Sequence, residues 1–306
     1  MKGFVAITDA DWYRYLSAPG DADEVNFWRP SGQSHFRSLQ IGEPLIFKLH
    51  YPENAIVGGG FFTHFSVLPS RLAWDAFGQK NGAASYEEMR QRIQKYRRAT
   101  ADPHAEYSIG CLILREPFFF SEQDWLAPPS DFSRNIVQGK TYDLTIGAGR
   151  ELWDAIQARL LRTSAHVVAE PAGPMYGAPT LTRQRLGQGT FRVIVTDVYR
   201  RRCAITAEKT LPVLQAAHIR PVSDGGTHRI VNGVLLRSDL HTLFDRGYVT
   251  VAPDYRVHVS QRLKVDFDNG ENYRRLEGST ISLPDQAEHR PDPLLLEWHS
   301  DTVFLR

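Results

Sequence analysis

His218, Asn232 and His241 follow one another at intervals of 14 and 9 residues. The first lies in residues 214–221 (LQAAHIRP), an apolar run that reads as a strand. Residues 223–227, with Gly225 and Gly226, read as a turn. Val234, Leu235 and Leu236 continue the fold, and Asp239 is a plausible N-cap for a helix over 240–246 that carries His241. So short an arrangement of strand, turn and helix must carry its polar side chains close together. Its apolar residues, Leu211, Val213, Leu214, Ile219, Val234, Leu235, Leu240, Leu243 and Phe244, must hold it.

Neighbouring segments extend this module. Residues 188–201 predict a helix with Val193, Val195, Val198 and Tyr199 among basic residues, and 248–251 and 256–259 predict a hairpin around Pro253-Asp254. A net charge of +1 conceals an asymmetry. Residues 183–264 hold 14 Lys+Arg against 6 Asp+Glu, a local balance of +8, so the remainder sums to −7. A basic module on a mildly acidic chain suits contact with phosphates.

Order, spacing and flanking residues resemble the HNH nuclease motif, as carried by Ala216-Ala217-His218-Ile219-Arg220-Pro221, Asn232-Gly233 and Asp239-Leu240-His241-Thr242-Leu243-Phe244-Asp245. The resemblance implies a ββα-metal domain over 183–306 that holds one divalent cation against a DNA phosphate. Hydrolysis of a phosphodiester needs a deprotonated water in line with the leaving oxygen, and imidazole takes a proton near neutral pH. His218 is then the general base. Asn232 matches the middle residue, whose amide anchors the loop and orients the base, or in some relatives contacts the metal. His241 is the metal-ligand candidate, and Asp245, four residues on, shares its helical face. Asp245 could instead form a turn contact at the helix end.

Two departures from the motif matter. Many HNH enzymes place Asp or His just before the base, whereas Ala217 stands there. The metal shell would come from His241, Asp245, phosphate oxygens and water, with Asp239 as a possible substitute. An open, oxygen-rich shell favours Mg2+ or Mn2+ over a closed zinc site. With Cys203 as the module's one cysteine, no structural zinc site can be built. Arg220 and Arg237 are candidates for DNA phosphate contacts or ordinary surface arginines. His228 in the turn is expected to be exposed, and His258 structural.

Residues 167–182 (VVAEPAGPMYGAPTLT) have three prolines and no period, and read as a linker. The first domain, 1–166, alternates short apolar strands (44–48, 55–57 followed by Gly58-Gly59-Gly60, 61–67, 107–114) with helices at 72–77 and 85–96, and ends in a helix over 151–165. Ser85 and Glu88 form a capping-box pattern. This α+β order suggests a small β-barrel with helices. Asn26-Phe27-Trp28-Arg29-Pro30-Ser31, residues 41–48 and Ile56-Val57-Gly58-Gly59-Gly60 resemble the EVE branch of the PUA-like superfamily, although Glu43 stands where Asp is more usual. That resemblance implies a pocket for a modified base, with Trp28 as one wall and Asn26, Arg29, Ser31, Phe61 and Trp74 as further candidates. Phe62 is another candidate, and each aromatic could equally be core. The basic segment 90–98 (RQRIQKYRR) either tracks a DNA backbone or is a solvated helix face.

At 306 residues, 42% hydrophobic and without an apolar run of 18, the chain reads as a soluble protein of two domains. Its N-terminus reads as a first strand rather than a secretory signal, and Cys111 and Cys203 as free thiols of a reducing cytoplasm. The two resemblances together imply a modification-dependent endonuclease of a prokaryotic cytoplasm, acting on double-stranded DNA that carries 5-methylcytosine or 5-hydroxymethylcytosine. The base would be flipped, and two protomers would be needed to cut both strands. The rivals are a non-catalytic reader of modified nucleic acid, favoured by Ala217, and an HNH nuclease indifferent to modification.

Overall fold

A computed structural model of the protein describes residues 1–18, 22–32, 35–97, 106–167 and 186–306. The chain divides into two compact units, Met1–Gln184 and Arg185–Arg306. Of the expected linker, all but Val167 lies outside the described residues.

The first unit comprises β1 (Lys2–Thr8), α1 (Ala10–Leu16), β2 (Glu24–Arg29), β3 (Pro44–Leu49), β4 (Ile56–Pro69), α2 (Ser70–Phe77), α3 (Tyr86–Arg97), β5 (Ser108–Phe119), β6 (Gly139–Asp143) and α4 (Gly147–Val167). Its strands form one six-stranded sheet in the order β2-β5-β4-β3-β1-β6, in which β1 and β3 run parallel. The expected barrel does not close: among the described residues the end strands β2 and β6 do not pair.

The reason lies in the two faces of the sheet. Alternate residues of β3 separate, with Leu45, Phe47 and Leu49 joining the cluster under Trp12 and Tyr13 of α1, while Ile46 joins the cluster under Leu152 and Ile156 of α4. With a helix burying each face, closure is not needed to shelter apolar surface. The strands read at 55–57 and 61–67 are one continuous strand. Gly58-Gly59-Gly60 is the middle of the long strand β4, where a Cβ on Gly58 would sit 2.2 Å from the Phe118 carbonyl oxygen. The capping box closes on Ser85 Oγ, which accepts from Glu88 N at 3.2 Å, while Glu88 Oε2 accepts from Ala84 N at 2.9 Å.

The second unit comprises α5 (Gln188–Val198), β7 (Leu214–His218), β8 (Gly233–Arg237), α6 (Ser238–Asp245), β9 (Val249–Val251), β10 (Val257–Val259), α7 (Arg262–Phe267), α8 (Glu271–Arg274) and α9 (Pro293–Thr302). β7 and β8 are antiparallel, with His218 opposite Gly233, and α6 follows β8 directly. One apolar cluster built on Phe191, Val195, Ile219, Leu235, Leu240 and Phe244 unites α5, the hairpin and α6. Gly233 is required there, since a Cβ would lie 2.6 Å from Val195 and 2.9 Å from Phe191. Cys111 and Cys203 are buried free thiols, one in each unit. Among the described residues no helix is long and apolar enough to cross a membrane.

Candidate active site

At the end of β7 the His218 ring stacks on Phe191 of α5, with centroids 4.0 Å apart and planes 10° apart. Its Nε2 lies 3.0 Å from Nδ1 of His228. Burial, followed by the nearby His228, His241 and Arg192, pushes His218 down to about 4. It is therefore an uncharged imidazole near neutral pH, able to accept a proton.

Asn232 is 1% exposed. Its Oδ1 accepts from Arg220 N at 2.9 Å, while Nδ2 donates to Arg220 O at 2.9 Å and to Thr227 O at 2.8 Å. This amide ties the strand that carries His218 to the turn that carries His228. The turn has no room for larger residues, because a Cβ on Gly226 would fall 1.9 Å from the Arg220 carbonyl oxygen.

On α6, His241 Nε2 and Asp245 Oδ2 are 3.3 Å apart across one helical turn. Gln215 Oε1 lies 2.7 Å from His241 Nδ1. With Nδ1–H donating to that oxygen, Nε2 keeps its lone pair on the Asp245 side. Burial lowers His241 and raises Asp245, while the opposite charge of each partner works against the other's shift. A cleft of about 620 Å3 is lined by His218, His228, His241, Asp245 and Asp224, among others. Ala217 is fully buried in the apolar cluster and brings no donor to it.

Two expectations need correction, for Asp239 and for His228. Asp239 is neither the N-cap nor a lining residue of the cleft. The helix begins at Ser238, and both Asp239 oxygens accept from Arg237 at 2.7 Å, with Tyr273 Oη donating to one at 3.1 Å. That pairing also engages the Arg237 guanidinium. Arg220 holds its own turn, donating Nε–H to Asp224 O at 2.6 Å with the guanidinium 5.1 Å above the Trp298 ring. His228, expected on the surface, is half-buried against His218. Gln215 was not anticipated. The available signal was its place two residues before Ala217, on the strand face that meets α6.

The first unit has a cavity of about 330 Å3 lined by Trp28, Arg29 and Ser31 together with Asp9, Trp12, His50 and Tyr96. Asn26, Phe61 and Trp74 do not line it. Asn26 is buried and donates to Asn81 Oδ1 at 2.8 Å, Phe61 lies under the Arg115 guanidinium, and Trp74 packs near Tyr86. Phe62 belongs to the core. Tyr96 Oη donates to Asp9. Burial pushes the Asp9 carboxyl up, but the bonds from Tyr96, Trp12 N and Asp11 N and the charge of Arg92 together hold it below the usual carboxylate range. The basic helix α3 is partly engaged within the fold: Arg92 donates to Gly82 O at 2.7 Å and pairs with Glu88, and Arg97 donates to Ser108 O at 3.2 Å. Arg98 lies outside the described residues.

Residues 203–252 match the HNH_2 family model, described as HNH endonuclease, and this span contains His218, Asn232, His241 and Asp245. Residues 203–252, within the C-terminal unit, carry an HNH endonuclease domain. The protein is thus an endonuclease, a phosphodiester hydrolase. A search of curated proteins finds no match. Among solved structures, ASCH from Zymomonas mobilis is similar at 10% identity and a TM-score of 0.33, over 50% of this chain and 94% of that one. The modification-dependent TagI restriction endonuclease is similar at 14% identity and a TM-score of 0.29, over 96% of this chain and 79% of that one.

HNH nucleases generally use a divalent metal ion. Among the described residues no group of three or more His, Cys, Asp or Glu side chains could enclose one. The His241–Asp245 pair nevertheless fits such an ion: one nitrogen and one carboxylate oxygen, a helical turn apart, face the same cleft, with Gln215 fixing the imidazole.

Proposed function

We infer that the protein is a modification-dependent DNA endonuclease, in which the first unit reads a modified cytosine and the HNH domain cuts nearby. The observation that carries the nuclease centre is the convergence of His218, His241 and Asp245 on one cleft inside the HNH match. His218 removes a proton from the attacking water, which suits its uncharged state. Asn232 orients it by holding strand and turn together. His241 Nε2 and Asp245 Oδ2 would hold the ion, Mg2+ or Mn2+. When bound, such an ion supplies Lewis-acid stabilisation of the leaving 3′-oxygen.

The cavity under Trp28 supports the reader half of the proposal. It has aromatic walls from Trp12, Trp28 and Tyr96 for stacking on a flipped base, and polar groups from Asp9, Arg29 and Ser31 for its edge. The ionised Asp9 suits the exocyclic amino group of cytosine, which donates hydrogen bonds. One HNH centre cuts one strand, so cleavage of both strands calls for a homodimer. The segment 167–182 would link the two domains in a prokaryotic cytoplasm.

Matched DNAs bearing cytosine, 5-methylcytosine or 5-hydroxymethylcytosine, digested with Mg2+ or Mn2+, test this function. Faster cleavage of a modified DNA is expected. Equal cleavage of all three leaves a nuclease indifferent to modification, and modified-DNA binding without cleavage under any ion leaves a reader alone.

A further inference from the structure

The HNH motif assigns His218, Asn232 and His241 and leaves His228 without a function. Yet His228 Nδ1 lies 3.0 Å from His218 Nε2, the rings are 5.1 Å apart between centroids, and both histidines line the cleft. Its placement is not accidental to the turn. The carbonyl of Thr227, one residue before it, accepts from Asn232 Nδ2 at 2.8 Å, while the same amide binds Arg220, two residues after His218. Asn232 thus sets both imidazoles in one frame, and Phe191, stacked on His218, fixes its ring plane.

A base must offer an unprotonated nitrogen to water, and in His218 one of the two ring nitrogens is already engaged with His228. If His228 donated to Nε2, the remaining proton of neutral His218 would sit on Nδ1 and neither nitrogen would be open to water. The productive arrangement is the reverse. We propose that His228 is a positioning residue that accepts the Nε2–H of His218 at its own Nδ1 and so leaves His218 Nδ1 as the nitrogen that takes the proton. This rests on the assignment of His218 as the base. In the step itself, the water oxygen bonds to phosphorus as its proton passes to His218 Nδ1, and the bond to the 3′-oxygen breaks. The resulting imidazolium keeps its Nε2–H bond to His228, which then stabilises the charged form as well as the tautomer.

Nitrogen-15 NMR of the wild-type full-length protein reads the tautomer without any substitution: His218 should carry its proton on Nε2, and a proton on Nδ1 overturns the proposal. In single-turnover nicking of modified plasmid with Mn2+, His228→Ala should lower the rate at saturating enzyme by about 10–100-fold, the usual effect of removing a partner that orients a functional imidazole. Its affinity for DNA and for Mn2+, the latter read by electron paramagnetic resonance, should stay at the wild-type value. His228→Asp, which retains an acceptor, should restore the rate to within a few-fold. A wild-type rate for His228→Ala, or a loss of Mn2+ affinity that would make His228 a ligand, overturns the proposal. His218→Ala separates the two levels. If it nicks normally the base assignment fails, and if it is inactive while His228→Ala is normal only the present inference fails.

Discussion

Replacing Asn232 probes how the two histidines are held. At 1% exposure its side chain makes three hydrogen bonds of 2.8–2.9 Å, accepting one backbone N–H and donating to two carbonyls. Each such bond contributes about 0.5–1.5 kcal/mol net, so Asn232→Ala should destabilise the C-terminal unit by about 2–4 kcal/mol. Asn232→Asp is the sharper perturbation, because it preserves shape and reverses chemistry. The carboxylate still accepts from Arg220 N, but its second oxygen faces the carbonyls of Arg220 and Thr227 with no proton to offer. At pH 7 that buried repulsion should make Asp at least as damaging as Ala, although it is far closer in size to Asn. Denaturant unfolding of the full chain, followed on the transition of the C-terminal unit, measures both. If Asn232→Asp falls within about 0.5 kcal/mol of wild type, the range of ordinary surface substitutions, the latch does not work through its donors and the reasoning fails.

Further outcomes follow from other contacts. Gln215→Ala removes the acceptor at His241 Nδ1 and should weaken Mn2+ binding by about 10–100-fold in calorimetry, whereas unchanged affinity would mean that the contact does not orient the ligand. His299 is 2% exposed, stacked on Phe244, with Nδ1 2.8 Å from Thr250 Oγ1, and burial pushes it down to about 4 from 6.5. Between those values the unfolded chain binds the proton more readily. The contribution is therefore full above pH 6.5 and lost as pH falls towards 4, by about 3 kcal/mol in all. The pH dependence of wild-type stability should exceed that of His299→Gln by this amount, and parallel curves would refute it. Trp28→Ala should weaken binding of modified DNA by about 1–3 kcal/mol in a filter or anisotropy assay, leaving unmodified duplex unaffected; equal weakening of both would remove Trp28 from base recognition.

What is legible in this sequence is local. The helices near 85–96 and 151–165, and the hairpin and helix around His218 and His241, follow from capping residues, alternation and a Gly-Gly turn within a few residues of each other. Closure of the first-unit sheet is not local. It depends on pairings such as β1 with β3 and on which face α4 covers, and alternation along one strand is the same in a barrel and in an open sheet. Gly58-Gly59-Gly60 looks like a break between two strands in one dimension and is a close approach of β4 to β5 in three. Within the module, Asp239 and Arg237 are separated by two positions across a strand-to-helix junction, where no helical or strand period predicts that they meet. His228 reaches His218 only because Asn232 folds the intervening turn back on the strand. In the first unit, Asp9, His50 and Tyr96 join Trp28 from three separate segments, which no short motif encodes.

The account stands most directly on whether the imidazole at the end of β7 drives DNA hydrolysis. Single-turnover nicking of plasmid DNA with Mn2+, comparing wild type with His218→Ala at equal DNA occupancy, measures this. A loss of about 100- to 10,000-fold, with folding and DNA binding retained, is the predicted result. Nicking by His218→Ala at the wild-type rate would contradict it.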